Sequence, residues 1–238
     1  MSRKYLALDI ETTKVTPANG RDWRLHRPLG ISCAATLSGD SDEPLVWHGG
    51  INRKRPASRM NRKELRELVG YLARQVDGGY TIVTWNGVGF DFDIMAEESG
   101  ILQKCRRLAV SHVDMMFHLL CRVGYGIGLE SAAKGMDLAG KRGGMTGAVA
   151  PRLWAEGKRK EVLEYVAQDV RITLQLAQIC EGRGFVRWMT RSGRKRELPL
   201  PKGWLPVDVA ERLPQPYTLW MGDQWSRARF TAWLRSGA

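Results

Sequence analysis

Asp9 and Glu11 lie two residues apart in Lys4-Tyr-Leu-Ala-Leu-Asp-Ile-Glu11, a segment whose alternation of residue types predicts a strand. Leu6, Leu8 and Ile10 take one face, and Tyr5, Ala7, Asp9 and Glu11 the other. Both carboxylates therefore leave the same side, close enough to share a divalent cation. Alone, a strand ending in Asp-x-Glu is common, and solvated acids at a sheet end explain it equally well. Asp91 closes Trp85-Asn-Gly-Val-Gly-Phe-Asp91, where an apolar strand runs through a glycine-bearing turn into a helix. Open α/β sheets hold their ligands at such strand ends, although in isolation Asp91 reads as a helix cap and Asn86 as a turn residue. Asp169 ends Tyr165-Val-Ala-Gln-Asp169, so Tyr165 and Asp169, at i and i+4, share one helix face. That row continues through Ile172 and Leu176, which turns it inward. An inward carboxylate is costly without a partner, and a metal ion is one such partner. The plain alternative is a surface acid one row off the core stripe.

These residues need elements to hold them. A polar loop to about Pro28 follows the first strand, and residues 29–38 and 43–48 predict two more strands joined by the turn Ser38-Gly-Asp-Ser-Asp42. The basic stretch Arg53 to Arg66 runs into an amphipathic helix carrying Leu65, Leu68, Val69 and Leu72. Tyr80–Trp85 is a strand, 92–98 a helix beginning near Asp91, and Leu108-Ala-Val110 a short strand after which Asp114 caps a helix. Residues 124–147, rich in glycine and lysine, mix loop with a short helix around Ser131, and 158–181 form a long helix with Val162, Val166, Val170, Leu174 and Ala177 as its apolar stripe. Strands alternating with helices define an α/β protein. In that class, four carboxylates on a strand, a strand-to-helix turn and a late helix can converge at one edge of a sheet.

Here the motifs resemble a known family. Asp9-Ile-Glu11, Asn86-x-x-x-Phe90-Asp91 and Tyr165-x-x-x-Asp169 are similar to the three exonuclease motifs of the DEDD superfamily, in the tyrosine-bearing form found in proofreading domains of family-B DNA polymerases. The resemblance spans about residues 4–180. The histidine-bearing form would need His five residues before Asp169, where Glu164 stands. The resemblance implies a ribonuclease H-like fold, a mixed central sheet flanked by helices, and two Mg²⁺ or Mn²⁺ ions. Asp9 would bridge both ions, Glu11 and Asp169 would complete the first site, Asp91 would support the second partly through water, and Tyr165 would orient the attacking water. Thr12, Asn86 and Phe90 become candidate substrate contacts beside them. The chemistry also stands on its own terms, since phosphodiester hydrolysis needs a nucleophilic hydroxide and a stabilised leaving oxygen. Oxygen-only ligands suit Mg²⁺ and Mn²⁺ rather than zinc.

Composition bounds the rest. In 238 residues, 37 Lys+Arg against 25 Asp+Glu give a net charge of +12, which favours polyanionic partners, nucleic acid before an anionic membrane surface. No apolar run is long enough to span a membrane, and Asp9 and Glu11 interrupt the only leader-like stretch, so a cytoplasmic location is expected. Cys33, Cys105, Cys121 and Cys180 form no C-x-x-C pair and, with His112 and His118, fit no common zinc spacing. Gly135 to Arg142 misses the P-loop pattern, because Arg142 stands where Ser or Thr is required, and Gly124-Tyr-Gly-Ile-Gly128 lacks a dinucleotide fingerprint's last glycine. Lys141 and Arg142 are candidate backbone contacts, although charge runs are commonly solvated faces.

Beyond Gly182 the composition shifts, dividing the chain into residues 1–182, the nuclease-like domain, and 183–238, a basic extension rich in Trp and Pro with a hairpin turn at Ser192-Gly193. Its tryptophans, Trp188, Trp204, Trp220, Trp225 and Trp233, alternate with arginines and suit base stacking beside phosphate contacts, while packing onto the core is the plainer reading. The function expected is metal-dependent 3′→5′ removal of mononucleotides from single-stranded ends, with DNA favoured over RNA, in repair, replication or end trimming. RNA trimming and metal-independent nucleic-acid binding are the two rival readings.

Overall fold

The backbone begins with an eight-residue strand, β1 (Tyr5–Thr12), whose period of two divides its side chains between two layers. The computed structural model describes residues 3–16, 22–50, 55–139, 147–219, 221 and 225–236. β1 lies at the centre of a five-stranded mixed sheet ordered β3-β2-β1-β4-β5. β2 (Ile31–Ser38) and β3 (Leu45–His48) extend it antiparallel, whereas β4 (Thr81–Thr84) and β5 (Val113–Asp114) run parallel to β1. This is a ribonuclease H-like α/β fold.

Leu6, Leu8 and Ile10 are buried against α1 (Arg62–Asp77), α2 (Asp91–Ser99) and α3 (Leu102–Ser111). α1 opens on a capping box, Asn61 accepting from the Glu64 N–H while Glu64 accepts from that of Asn61, and buries the stripe Leu65, Leu68, Val69 and Leu72. On the other face, Tyr5 and Ala7 meet the 25-residue helix α7 (Arg159–Arg183) together with α5 (Leu129–Gly135) and α6 (Ala150–Ala155). A third cluster joins Val88 and α4 (Met115–Val123) to α8 (Val207–Ala210) and to Phe230 of α9 (Ala228–Thr231).

One element differs from the sequence expectation. Leu108-Ala-Val110 is not a strand but the last full turn of α3, and the sheet resumes only at Val113. The burial of Cys105, Leu108 and Ala109 shows why, since positions i, i+3 and i+4 share one helical face, and three apolar residues do not reveal which period they follow. Asp114 caps α4 as expected, accepting from the Phe117 N–H at 3.0 Å.

Residues after 183 pack into the same core. β6 (Phe185–Met189) and β7 (Lys195–Pro199) form an antiparallel hairpin around Ser192-Gly193. Trp188 is buried, and Trp204 is 0% exposed, its indole N–H donating to the Ala177 carbonyl of α7 at 3.2 Å. Arg3 binds the Trp204 carbonyl at 2.8 Å from the opposite end of the chain. Trp204→Ala should therefore lower the free energy of unfolding by about 3–5 kcal/mol in chemical denaturation. A change below about 1 kcal/mol would mean that this tail stabilises the core little.

Candidate active site

β1 and β4 pair only from Tyr5–Thr81 to Ala7–Val83. Beyond that point the β4 edge of β1 is open, and the Ile10 N–H there donates to Asp91 Oδ1 at 3.1 Å. Asp91 thus takes the place of a missing strand. The N-cap of α2 is Phe90, which makes no side-chain capping bond, so Asp91 heads the helix while its carboxylate reaches across to β1.

The turn that delivers Asp91 is held by a second carboxylate. Asp114 accepts from the Asn86 N–H at 2.9 Å and the Val88 N–H at 3.0 Å as well as from Phe117. Asn86 has φ +74°, a left-handed conformation that Asn tolerates better than most residues. Gly87 donates to Thr84 Oγ1 at 3.1 Å, and Thr84 meets His112 Nε2 at 3.0 Å. His112 Nδ1 lies 2.7 Å from the Ala109 carbonyl, which assigns the ring proton to Nδ1 and leaves Nε2 as acceptor for the Thr84 hydroxyl. Burial pushes His112 down to about 4, so the ring stays neutral. At Gly89 a Cβ would lie 2.4 Å from Phe230 Cδ1, so only glycine permits that approach.

From the other layer, α7 turns Tyr165 and Asp169 toward β1, and both are buried, as are Ile172 and Leu176 below them. The Tyr165 phenol is raised above its ordinary range, first by burial and then by the charges of Asp169, Glu11 and Asp9, with a further contribution from its hydrogen bond to Asp169. Three carboxylates from a strand and a helix thus bear on one hydroxyl. Glu11 is buried at the end of β1, where the register with β2 shifts between Glu11 and Thr12. Such irregularities re-aim side chains next to functional sites.

Asp9, Glu11, Asp91, Tyr165 and Asp169 all line one cavity of about 540 Å³, together with Thr12, Asn86 and Phe90. Lys141 and Arg142 lie outside the described residues. Several walls of this cavity were not among the sequence-derived candidates, including Trp85, Met116, the loop Gly126–Gly128 and Glu130, and Trp225 was weighed only as one of the tail's base-stacking tryptophans. Trp225 carried a signal in the alternation of Trp and Arg in the tail, while Gly126–Gly128 and Glu130 carried none, since a failed nucleotide fingerprint says nothing about where the loop lies.

The donor set is oxygen only, which fits hard divalent cations. Among the described residues no three His, Cys, Asp or Glu side chains close into a ready-made cage; the carboxylates line an open cavity instead. Asp91 is pushed up to about 7 by burial and by the charge of Asp114, and Asp114, mainly by burial, to about 6.

The fold is that of the ribonuclease H-like nucleases. The RNase_H superfamily model matches residues 46–180, a span that includes Asp91, Tyr165 and Asp169, and the chain belongs to that superfamily. No curated protein matches the sequence. Among solved structures, the family B DNA polymerase from the hyperthermophilic archaeon Pyrobaculum calidifontis is similar in fold, with a TM-score of 0.53 and 20% identity over 88% of this chain. The match covers 27% of the polymerase.

Asp91 has a measurable signature. A carboxyl whose folded pKa lies above the ordinary 3.8 stabilises the fold at low pH and loses that contribution as pH rises through about 7. Asp91→Asn keeps the acceptor for Ile10 and removes the buried charge. In EDTA at pH 8 the variant should melt at least about 4 °C above the parent, with the gap closing near pH 4. An equal gap at both pH values would exclude ionisation of Asp91 as its source.

Proposed function

We propose that this protein is a metal-dependent 3′→5′ exonuclease that hydrolyses the terminal phosphodiester of single-stranded nucleic acid, DNA before RNA, and releases nucleoside 5′-monophosphates. The observation that carries this reading is that Asp9, Glu11, Asp91, Asp169 and Tyr165, dispersed over more than 150 residues, share one cavity wall. A net charge of +12 supports a polyanionic substrate.

Asp9, Glu11 and Asp169 would hold one Mg²⁺ or Mn²⁺, and Asp9 and Asp91 a second. Two such ions supply a nucleophile at neutral pH and charge stabilisation of the leaving oxygen. The chain's own residues do the remainder. With the cavity free of metal, burial and three neighbouring carboxylates oppose ionisation of the Tyr165 phenol. Tyr165 acts as a hydrogen-bonding group that orients the attacking water, not as the base that deprotonates it. Asp91, fixed by Ile10, and Asp114, fixed by three backbone N–H groups, keep the turn from yielding when charge enters the cavity. Phe90, half buried at the rim and edge-on to Trp23 at 5.1 Å, provides an apolar surface for the terminal base.

Digestion of matched 5′-labelled single-stranded DNA and RNA tests the proposal. A ladder shortening from the 3′ end should appear with Mg²⁺ or Mn²⁺ and vanish in EDTA. Asp9→Ala and Asp169→Ala should each reduce cleavage by about 10³-fold or more, the loss expected when several kcal/mol of charge stabilisation is removed. Tyr165→Phe should cost less, about 10- to 100-fold, since it removes only a positioning hydrogen bond. Full activity of the Asp9→Ala/Asp169→Ala double variant would refute the mechanism. Faster cleavage of RNA would reassign the substrate.

A further inference from the structure

The cavity that contains the carboxylates continues beyond them. Past Gly126, Ile127 and Gly128 it meets a second cavity of about 880 Å³, bounded by α5 on one side and by the end of β6 and its turn on the other. Trp225 and Glu130 line both. Trp225 is 39% exposed, unusual for so large an apolar side chain. It is nonetheless held in place. Phe230 stacks on it at 5.9 Å with an interplanar angle of 29°, the Arg229 guanidinium lies 5.4 Å from its ring centroid, and a Cβ on Gly126 would approach its Cζ3 to 2.4 Å. Phe230 is itself buried beside Gly89 in the turn that presents Asp91, so the ring is anchored to the carboxylate-bearing frame.

Among the described residues, the charged side chains lining this second cavity are two cations and one carboxylate, Glu130. Lys134 of α5 and Arg191 of the hairpin turn face it from opposite sides. Lys134 pairs with Glu130 at 2.9 Å, an exposed i,i+4 pair that a phosphate can displace at small cost. A rigid aromatic platform flanked by exposed cations matches the chemistry of single-stranded nucleic acid, whose bases offer π-faces and whose backbone offers one charge per nucleotide. A small apolar ligand would have no use for the cations, and an acidic peptide none for the platform.

We infer that this second cavity seats the single strand behind its reacting end, with a base stacked on Trp225 and phosphates on Lys134 and Arg191. The inference rests on the exonuclease reading for the order of the two cavities along the strand, and on this region's own chemistry for the binding itself.

Fluorescence anisotropy of 5′-labelled oligothymidylates of two to about eight nucleotides, in EDTA with the full chain, tests it. Affinity should rise with length in the parent protein. Trp225→Ala should weaken the longest oligomer about tenfold and flatten the length dependence, and Trp225→Phe should restore all but about twofold. Lys134→Ala/Arg191→Ala should reduce the slope of log affinity against log salt by about 1 or more. Parent-like affinity, length dependence and salt slope in these variants would overturn the inference. If Trp225→Ala fails to melt cooperatively, Trp225→Phe and the double charge variant, which alters only exposed residues, decide in its place. The two readings separate cleanly. Groove-dependent binding without metal-dependent cleavage keeps the groove and removes the exonuclease; cleavage lost in Asp169→Ala, with parent-like binding in every groove variant, does the reverse.

Discussion

Burying like charges together is the constraint around which this structure is organised. Glu11, Asp91, Asp169 and Asp114 are all nearly removed from water, and a carboxylate taken out of water needs donors, opposite charge or a proton. The fold answers differently for each. Asp114 takes three backbone N–H groups and becomes a structural clamp. Asp93, one residue past Phe92 on α2, is neutralised by Arg27 and by Arg24 at 3.8 Å. Asp91 has a single backbone donor from another element, Ile10, and faces the cavity. Asp114 and Asp93, bound by protein donors, hold the frame, whereas Asp9, Glu11, Asp91 and Asp169 line the cavity.

Holding such a cluster demands a frame that does not relax. β1 supplies it as the central strand, pinned antiparallel by β2 and in parallel by β4. The relay from Ala109 through His112 and Thr84 to Gly87 ties the end of α3 to the turn carrying Asn86, and Asp114 closes the same turn from the start of α4. A displaced Asp91 would break its bond to Ile10 and disturb the glycine contact with Phe230 at once. Hydrogen-bonded networks of this kind couple their members, so the turn moves as a unit or not at all.

The C-terminal segment belongs to that frame. Trp204 fills the layer between α7 and the hairpin, the Trp233 indole N–H donates to the Val88 carbonyl at 2.7 Å, and Arg227 binds the Cys121 carbonyl at 2.9 Å. Arg24 bridges the Gly89 and Arg229 carbonyls, at 3.2 and 2.8 Å, from the loop after β1. Residues at the two ends of the chain thus meet behind the turn that bears Asp91, and Trp225 reaches the cavity because Phe230 is fixed there.

What the sequence determined is whatever local periodicity and residue chemistry encode. The two-residue period of β1 assigned Asp9 and Glu11 to the layer of Tyr5 and Ala7, and the i,i+4 row of α7 turned Tyr165 and Asp169 inward, because strand and helix repeats are properties of the backbone alone. The glycine-bearing turn, the cap at Asp114 and the hairpin at Ser192-Gly193 were legible for the same reason. Leu108-Ala-Val110 was not, since three apolar residues fit either period and only the packing of Cys105, Leu108 and Ala109 on one face selected the helix. Nor could the sequence say that Asp91 would bond to Ile10, 81 residues away, that the loop at Gly126–Gly128 would wall the carboxylates, or that Trp225 would stand beside them. Those contacts join segments far apart in the chain. Their pairing is chosen by which surfaces close on one another when the core is buried, a choice no local pattern records.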